Sequence, residues 1–189
     1  GNNFDVRKQL LNYDNVMNNQ REIIYKKRNE ILDNESIHET VLELFRKHIE
    51  NLVNSHLIET TKLSDEDYSE ILEATNENLL KSFRLNLSEI KGRTPNEVIE
   101  IIYQSVLKDY NQKLEEIPQE VINEFEKAIS LRVIDSNWME HISSMSHLRE
   151  GIGLRGYANE NPLQAYTMEG FDMFDGVLNK INKEISIYL

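Results

Sequence analysis

Histidines are the side chains of this sequence best suited to bind a metal ion, and there are five of them: His38, His48, His56, His141 and His147. A helical zinc site commonly has two histidines four residues apart with a glutamate between them, so that both imidazoles lie on one face. No pair here has that arrangement, and His141 and His147 point about 240° apart around a helix. The sequence therefore predicts surface or boundary histidines and no metal site.

Acidic and glycine-rich motifs do not predict a catalytic or nucleotide-binding site. Acidic pairs such as Asp65/Asp67 and Glu115/Glu116 lie in polar runs, whereas a catalytic acid needs burial and a neighbouring group that shifts its pKa. The sequence has no GxxxxGK[ST] motif, whose backbone and lysine hold nucleotide phosphates. The glycine motif at 151–156 follows a helical pattern, whereas a dinucleotide-binding loop follows a strand.

The same glycine-rich stretch leads to a tyrosine between two long helical segments. Gly151, Gly153 and Gly156 immediately precede Tyr157. Glycines allow a tight chain reversal and leave the tyrosine without bulky neighbours. A tyrosine ring is large and amphipathic and loses little rotamer entropy, so it is common at contact surfaces. From these residues alone, a contact role and a ring folded back onto the hairpin are equally open.

Composition narrows the class of protein further. The net charge is −12 and no stretch is both basic and rich in aromatic residues, so nucleic-acid binding is not expected. Cysteine is absent, which excludes disulfides, zinc–thiolate sites and a cysteine nucleophile within the sequence. Absence of cysteine makes the cytoplasm the default location. There is no apolar run near the length of a membrane span and no secretory signal, which favours a soluble protein.

Apolar spacing predicts an all-α fold throughout the chain. Each of the three prolines, Pro95, Pro118 and Pro162, stands where a helix is expected to begin. Cap residues are predicted at Ser36, Ser64, Thr94 and Asn161, those at Ser36 and Thr94 with a glutamate three positions later. The pattern that starts at Pro118 predicts a helix of roughly 50 Å. Only residues 85–93 are compatible with a short strand or an irregular loop.

The first segment carries a single apolar stripe. Leu10, Met17, Ile24 and Ile31 recur every seven residues, as in a helix that lies along other helices. Val6 and Tyr13 fill the interleaved positions, which become polar at Gln20 and Lys27, so the stripe is predicted to be strongest in its first half. Leu10, Met17, Ile24 and Trp138 are the structural residues predicted from these patterns, with Trp138 as a core anchor.

Two stretches closely resemble the C-terminal helical region of SecA, the ATP-driven motor family of bacterial preprotein translocation. They are residues 3–32, with NFD, RKQLL and NYD, and residues 131–174, with W-EH, LR-GI, LR-YA, NP and Y--EGF--F. The order and spacing of these motifs carry the resemblance. Residues between the two stretches match only by position and helical character.

The resemblance implies a division into three parts. Residues 1–32 correspond to the end of the long helix of the helical scaffold, residues 33–117 to the helical wing, and residues 118–189 to the rest of the scaffold with its two-helix finger. In the family a tyrosine at the finger tip contacts the translocating preprotein at the SecY channel, and the hairpin is associated with restraint of the ATPase. By motif match that tyrosine is Tyr157, and Arg155, Gly156 and Ala158 are its neighbours.

The resemblance also implies partners and cofactors. The partners are a SecYEG-type channel, a preprotein and the motor domains that this chain lacks, and a homodimer is compatible with it. ATP and Mg²⁺ would belong to those motor domains, so no cofactor and no ATPase activity are expected of this chain itself. The implied location is the cytoplasm, with peripheral association at the cytoplasmic face of the cell membrane through the channel.

Three positions depart from the family pattern: Gly153 replaces a histidine, Ser146 an aspartate that is common there, and Asn15 the second aspartate of YDD. They leave open whether the parent is the housekeeping motor or an accessory SecA paralogue. A different class also remains: a self-contained helical adaptor whose acidic middle region, residues 33–117, binds basic partners.

Overall fold

The computed structural model of the chain describes residues 2–155 and 161–189, except for the side chains of Asn2 and Gln9. The described residues contain seven α-helices and one π-helical turn, Thr75–Leu79, joined by loops. No strand occurs among them, so the all-α prediction is confirmed. The helices are α1 (Asn2–Asp33), α2 (His38–Asn54), α3 (Asp65–Ala74), α4 (Leu87–Ile90), α5 (Pro95–Leu114), α6 (Gln119–Leu154) and α7 (Pro162–Tyr188).

Three of the four predicted helix caps are confirmed. The Ser64 hydroxyl accepts a hydrogen bond from the Asp67 backbone at the start of α3, and the Thr94 hydroxyl accepts one from the Glu97 backbone before α5. Asn161 Oδ1 accepts from the backbone N–H groups of Leu163 and Gln164 at 3.1 and 3.3 Å. These bonds satisfy N–H groups that have no partner within their own helix.

Two local predictions were wrong. α2 begins at His38 without a side-chain cap, and the Ser36 hydroxyl accepts from the His38 backbone at 3.3 Å. Ile37 is buried, and packing of that side chain places the helix start one residue later than the capping pattern predicts. Residues 85–93, where the sequence allows a short strand or an irregular loop, contain a single helical turn at Leu87–Ile90. The Glu89 carboxylate accepts from the Asn86 backbone N–H at 2.7 Å at the start of this turn.

The helices form two compact units: unit 1 comprises residues 1–34 and 130–181, and unit 2 comprises residues 35–129 and 182–189. Helices α6 and α7 therefore contribute residues to both units. The division at residues 32 and 117, inferred from the resemblance, concerns family domains and stays a prediction.

Unit 2 has an apolar core that contains the carboxylate of Glu126. Helix α2 packs against α5, and the rings of Phe45 and Tyr110 meet edge to face at 5.1 Å. The Glu126 side chain is fully buried; its Oε2 accepts from the Tyr110 hydroxyl at 2.8 Å and lies 2.9 Å from Nδ1 of His38. Burial, together with this hydrogen bond, raises the pKa of Tyr110, so its hydroxyl remains a donor. One carboxylate thus joins α2, α5 and α6.

A buried histidine makes unit 2 sensitive to acid. Burial, reinforced by the positive charge of Lys183, lowers the pKa of the His48 imidazole from 6.5 to about 4. His48 is therefore neutral in the folded protein at pH 7. The unfolded chain binds its proton more readily than the folded one between about pH 6.5 and pH 4.

Stability is therefore expected to fall as the pH drops from about 6.5 to about 4. The difference in the free energy of unfolding is on the order of 3 kcal/mol from this one group, since one pKa unit is about 1.4 kcal/mol. Thermal unfolding of the chain and of His48→Gln across this pH range measures it, and the variant should show the flatter dependence. Equal pH dependence in the two proteins would contradict the assignment.

Candidate functional site at the base of the helical hairpin

The structure describes one of the four predicted contact residues. Gly156, Tyr157 and Ala158 lie outside the described residues. Arg155 directly follows α6, and its backbone N–H still bonds to the carbonyl oxygens of Gly151 and Ile152 at 3.2 and 3.1 Å. The described site is therefore the base of the hairpin, where α6 and α7 of unit 1 lie against α1.

α1 and α6 pair with a constant register. Arg28 lies opposite Asp135, Gln20 opposite His141, and Asp14 opposite Arg149. The pairs run in opposite directions along the two helices. If the same register continues, the first turns of α1 lie opposite Leu154, where α6 ends.

Burial along α1 is the reverse of the predicted trend. Ile24 and Ile31 are 1% and 7% exposed, whereas Val6 and Leu10 are 54% and 49% exposed. The stripe is therefore buried in its second half. The first turns of α1 are exposed because α6 ends opposite them and no longer covers them. Met17 is half-buried, and Trp138 is buried beside Phe174 with ring centroids 6.3 Å apart.

The side chain of Gln20 connects all three helices of the site. Its Oε1 lies 2.6 Å from Nε2 of His141 on α6, and its Nε2 donates to the carbonyl oxygen of Gly170 on α7 at 3.2 Å. A carbonyl oxygen can only accept, so the amide nitrogen must face Gly170 and the amide oxygen must face His141. Nε2 of His141 consequently carries the proton. Gln20 and His141 are 6% and 2% exposed, so these bonds are formed away from water. The prediction of surface or boundary histidines is therefore wrong for His141, as it is for the buried His48.

Burial lowers the pKa of His141, which matches the neutral tautomer that Gln20 requires. The imidazole lies between Trp138 and Phe174, at centroid distances of 5.7 and 5.4 Å. Nδ1 of His141 has no hydrogen-bond partner among the described residues. Protonation would therefore place an N–H donor in the core without an acceptor.

Gly170 allows α7 to approach α6 closely. A Cβ atom at this position would lie 2.6 Å from Cε and 3.1 Å from Sδ of Met145. Met145 is itself buried in a cluster with Ile152 and Tyr166, against which Tyr13, Met17 and Leu148 pack. The glycine therefore serves both the packing of the hairpin and the hydrogen bond from Gln20.

Arg149 anchors the hairpin to α1 nearer its tip. Its guanidinium lies 4.8 Å from the centre of the Tyr13 ring, and Nη1 is 3.3 Å from Oδ1 of Asp14. The Tyr13 ring in turn packs on Tyr166 at 5.0 Å. Desolvation raises the pKa of the buried Tyr166 hydroxyl. One cluster thus brings together three motifs that are separate in the sequence: NYD, LREGI and YTMEGF.

One further ion pair crosses the hairpin at the end of α6. Nη1 of Arg155 donates to both carboxylate oxygens of Glu169, at 3.0 and 2.9 Å. Both side chains are about half exposed, at 49% and 43%. Sequence reasoning had not singled out Glu169, Gln20 or Gly170. Motif spacing alone gives no signal for such pairs. Glu169 is 14 residues from its partner Arg155, and Gln20 is 121 residues from His141 and 150 from Gly170.

One group in unit 2 has the donors of a metal site. Nδ1 of His56 lies 3.1 Å from Oδ1 of Asp67 and 3.5 Å from Oε2 of Glu70. The other oxygen of Asp67 accepts from the Ser64 backbone at 2.9 Å, and this bond is the main cause that lowers the pKa of Asp67. A hydrogen bond between the imidazole and the Asp67 carboxylate accounts for the shorter distance. We therefore interpret this group as a contact that joins the end of α2 to α3.

Apolar side chains also line an open groove of unit 1. The groove has a volume of about 250 Å³ and runs between α1 and α7, with Val16, Ile23, Phe171, Phe174 and Leu178 among its lining residues. Phe171 is 65% exposed.

Among the described residues, no helix is both long enough and apolar enough to cross a membrane.

Known proteins match the whole chain. The family model described as "SecA Wing and Scaffold domain" matches residues 1–189, which include the middle region that resembles the family only by position. The chain is 41% identical over 189 residues to "Protein translocase subunit SecA" of Clostridium novyi (strain NT), covering 100% of the chain and 23% of that protein. The protein of the same name from Clostridium acetobutylicum is 41% identical over 189 residues, again 100% of the chain and 22% of the relative. The chain thus spans less than a quarter of these relatives.

Replacing Gln20 by alanine is expected to destabilise unit 1 by about 1–3 kcal/mol, because the His141 N–H and the Gly170 carbonyl lose their buried partner. Fluorescence of Trp138 during urea unfolding reports the change close to the site. Asn19→Ala is the matched control, since Asn19 is exposed on the same turn of α1. A loss no larger than that of the control would show that the amide contributes nothing.

Two alanine substitutions on α7 should have opposite effects. Gly176→Ala meets no atom within 4 Å, so it should stabilise the helix by roughly 0.5–1 kcal/mol. Gly170→Ala gains the same propensity but forces the terminal methyl of Met145 out of its packed position, and we expect it to be destabilising by about 1–3 kcal/mol. Urea unfolding of both variants provides the comparison. A stabilised Gly170→Ala would contradict the packing argument.

Proposed function

The chain belongs to the SecA wing and scaffold family, and we propose that its α6–α7 hairpin is the finger that contacts a translocating polypeptide at a SecY-type channel. The observation that carries the proposal is the fixed base of this hairpin. Gln20, Gly170 and the Arg149 cluster attach α6 and α7 to α1 at successive levels. A base held in this way transmits force from the scaffold helix to residues 155–158.

Tyr157 is the proposed contact residue, with Gly156 and Ala158 beside it and Arg155 at the end of α6. A translocase must handle polypeptides of many sequences. An aromatic ring suits this task, because it packs on backbone or on apolar side chains without requiring a particular hydrogen-bond pattern. The contact is therefore a sequence-tolerant grip.

The wider assembly follows from the names of the relatives, each of which is a protein translocase subunit. We propose that this chain works as part of a longer SecA-type protein whose motor domains bind and hydrolyse ATP with Mg²⁺. Its partners would be a SecYEG-type channel and preproteins, and its place the cytoplasmic face of the membrane. α1 would connect the hairpin to those motor domains. Nothing in this proposal requires a homodimer.

Replacing Tyr157 by alanine in the full-length translocase that contains this chain should slow polypeptide translocation by about tenfold, because an aromatic contact contributes roughly 1.5 kcal/mol beyond its buried area. Tyr157→Phe keeps the ring and should retain most of the rate. Translocation of a protease-protected substrate into channel-containing vesicles measures both variants.

Tyr25→Ala is the control, because Tyr25 is a half-exposed tyrosine on α1 of the same unit. ATP hydrolysis is measured in parallel to confirm that the motor is intact. A Tyr157→Ala protein that translocates at the normal rate with intact ATPase would refute the grip. Tight binding of the isolated chain to a soluble basic partner would instead favour an adaptor.

A further inference from the structure

We propose that Arg155 is a positioning residue: its guanidinium is held by Glu169, and this ion pair fixes the end of α6 to which Tyr157 is attached through Gly156. The inference rests on the proposed function. It divides the contact segment into a residue that touches the polypeptide and a residue that places it. The sequence motif alone had grouped Arg155 with the contact residues.

The pair links the two arms of the hairpin beyond its apolar core. Ile152 is buried with Tyr166, but Gly153 has no side chain and Leu154 is 85% exposed. Arg155 is thus the first described side chain after Ile152 that ties the end of α6 to α7. Its backbone N–H bonds to Gly151 and Ile152, so the residue that carries the guanidinium still belongs to the last turn of α6.

Helix α7 also has a defined start. Asn161 caps α7 with two hydrogen bonds to backbone N–H groups, and Glu169 lies about two turns further along the same helix. Residues 156–160 are therefore attached to two positions that the Arg155–Glu169 pair holds together. The pair joins residues only 14 positions apart, so it acts on this segment more than on the rest of unit 1.

The exposure of the pair predicts a local effect. A half-exposed ion pair contributes little to global stability, so its loss should leave the unfolding midpoint nearly unchanged. Local opening at the end of α6 should become about twofold to fivefold more frequent. A residue that contacted the polypeptide directly would behave differently, because the sign of its own charge would matter whatever stood at position 169.

Charge reversal separates these cases. Arg155→Glu and Glu169→Arg each place like charges together, and the double variant Arg155→Glu/Glu169→Arg restores an ion pair of opposite direction. The control is the Lys180–Glu140 pair, 3.2 Å apart and comparably exposed, which also joins α7 to α6 but lies further from the tip. Its charges are reversed by Lys180→Glu, by Glu140→Lys and by both substitutions together.

Amide hydrogen exchange of the chain is measured first. Each single reversal at the tip should raise exchange in residues 150–165 about twofold to fivefold, the double variant should restore it, and the control reversals should leave this segment unchanged. The same variants in the full-length translocase should lose translocation rate singly and regain it in the double variant.

Two results would overturn the proposal. If the double variant exchanges as fast as the single ones, the pair does not hold the segment. If exchange is restored but translocation is not, the positive charge at position 155 itself contacts the polypeptide or the channel. Failure of the proposed function looks different: Tyr157→Ala would translocate normally while the double variant still restored exchange.

Discussion

The buried amide of Gln20 is the interaction on which the arrangement of the hairpin depends. It has one orientation, because the Gly170 carbonyl can only accept a hydrogen bond. That orientation fixes the tautomer of His141, whose pKa is lowered by burial. A single side chain in the middle of α1 thereby sets where α6 and α7 can lie. An apolar residue there would pack with less positional specificity and would leave the two partners unsatisfied.

Other contacts extend this constraint towards the tip. The missing Cβ of Gly170 lets α7 come within contact distance of Met145, so the hydrogen bond from Gln20 and the apolar cluster are compatible. Arg149 then couples to Tyr13 and Asp14 of α1, and Arg155 couples to Glu169 of α7. Polar contacts become more exposed along this path, from the buried amide to the half-exposed ion pair. The contacts that hold the hairpin are therefore shielded from water at its base and reached by water at the end of α6.

Local chemistry in the sequence predicted most of the helices, whereas the site needed tertiary information. Pro95, Pro162 and Asn161 mark helix starts through their own backbone requirements, which do not depend on distant residues. Gln20 looked like the polar end of an apolar stripe, yet it is buried because its partners lie on α6 and α7. Ile37 is buried and α2 starts after it, and Leu87–Ile90 form a helical turn at whose start the Glu89 carboxylate accepts from the Asn86 backbone N–H. Periodicity cannot reveal contacts of that kind. The glycines before Tyr157 leave a contact role and a folded-back ring equally open, and only the motif resemblance favours the contact.

Photo-cross-linking from position 157 tests the central claim most directly. A photoreactive residue replaces Tyr157 in the full-length translocase, with a stalled polypeptide and the membrane channel present. Our account predicts adducts to the polypeptide or to the channel that depend on ATP, and weaker adducts when Gln20→Ala loosens the base. Adducts formed only within the translocase itself would contradict it, and the hairpin would then be an element that restrains the motor instead of one that grips a moving chain.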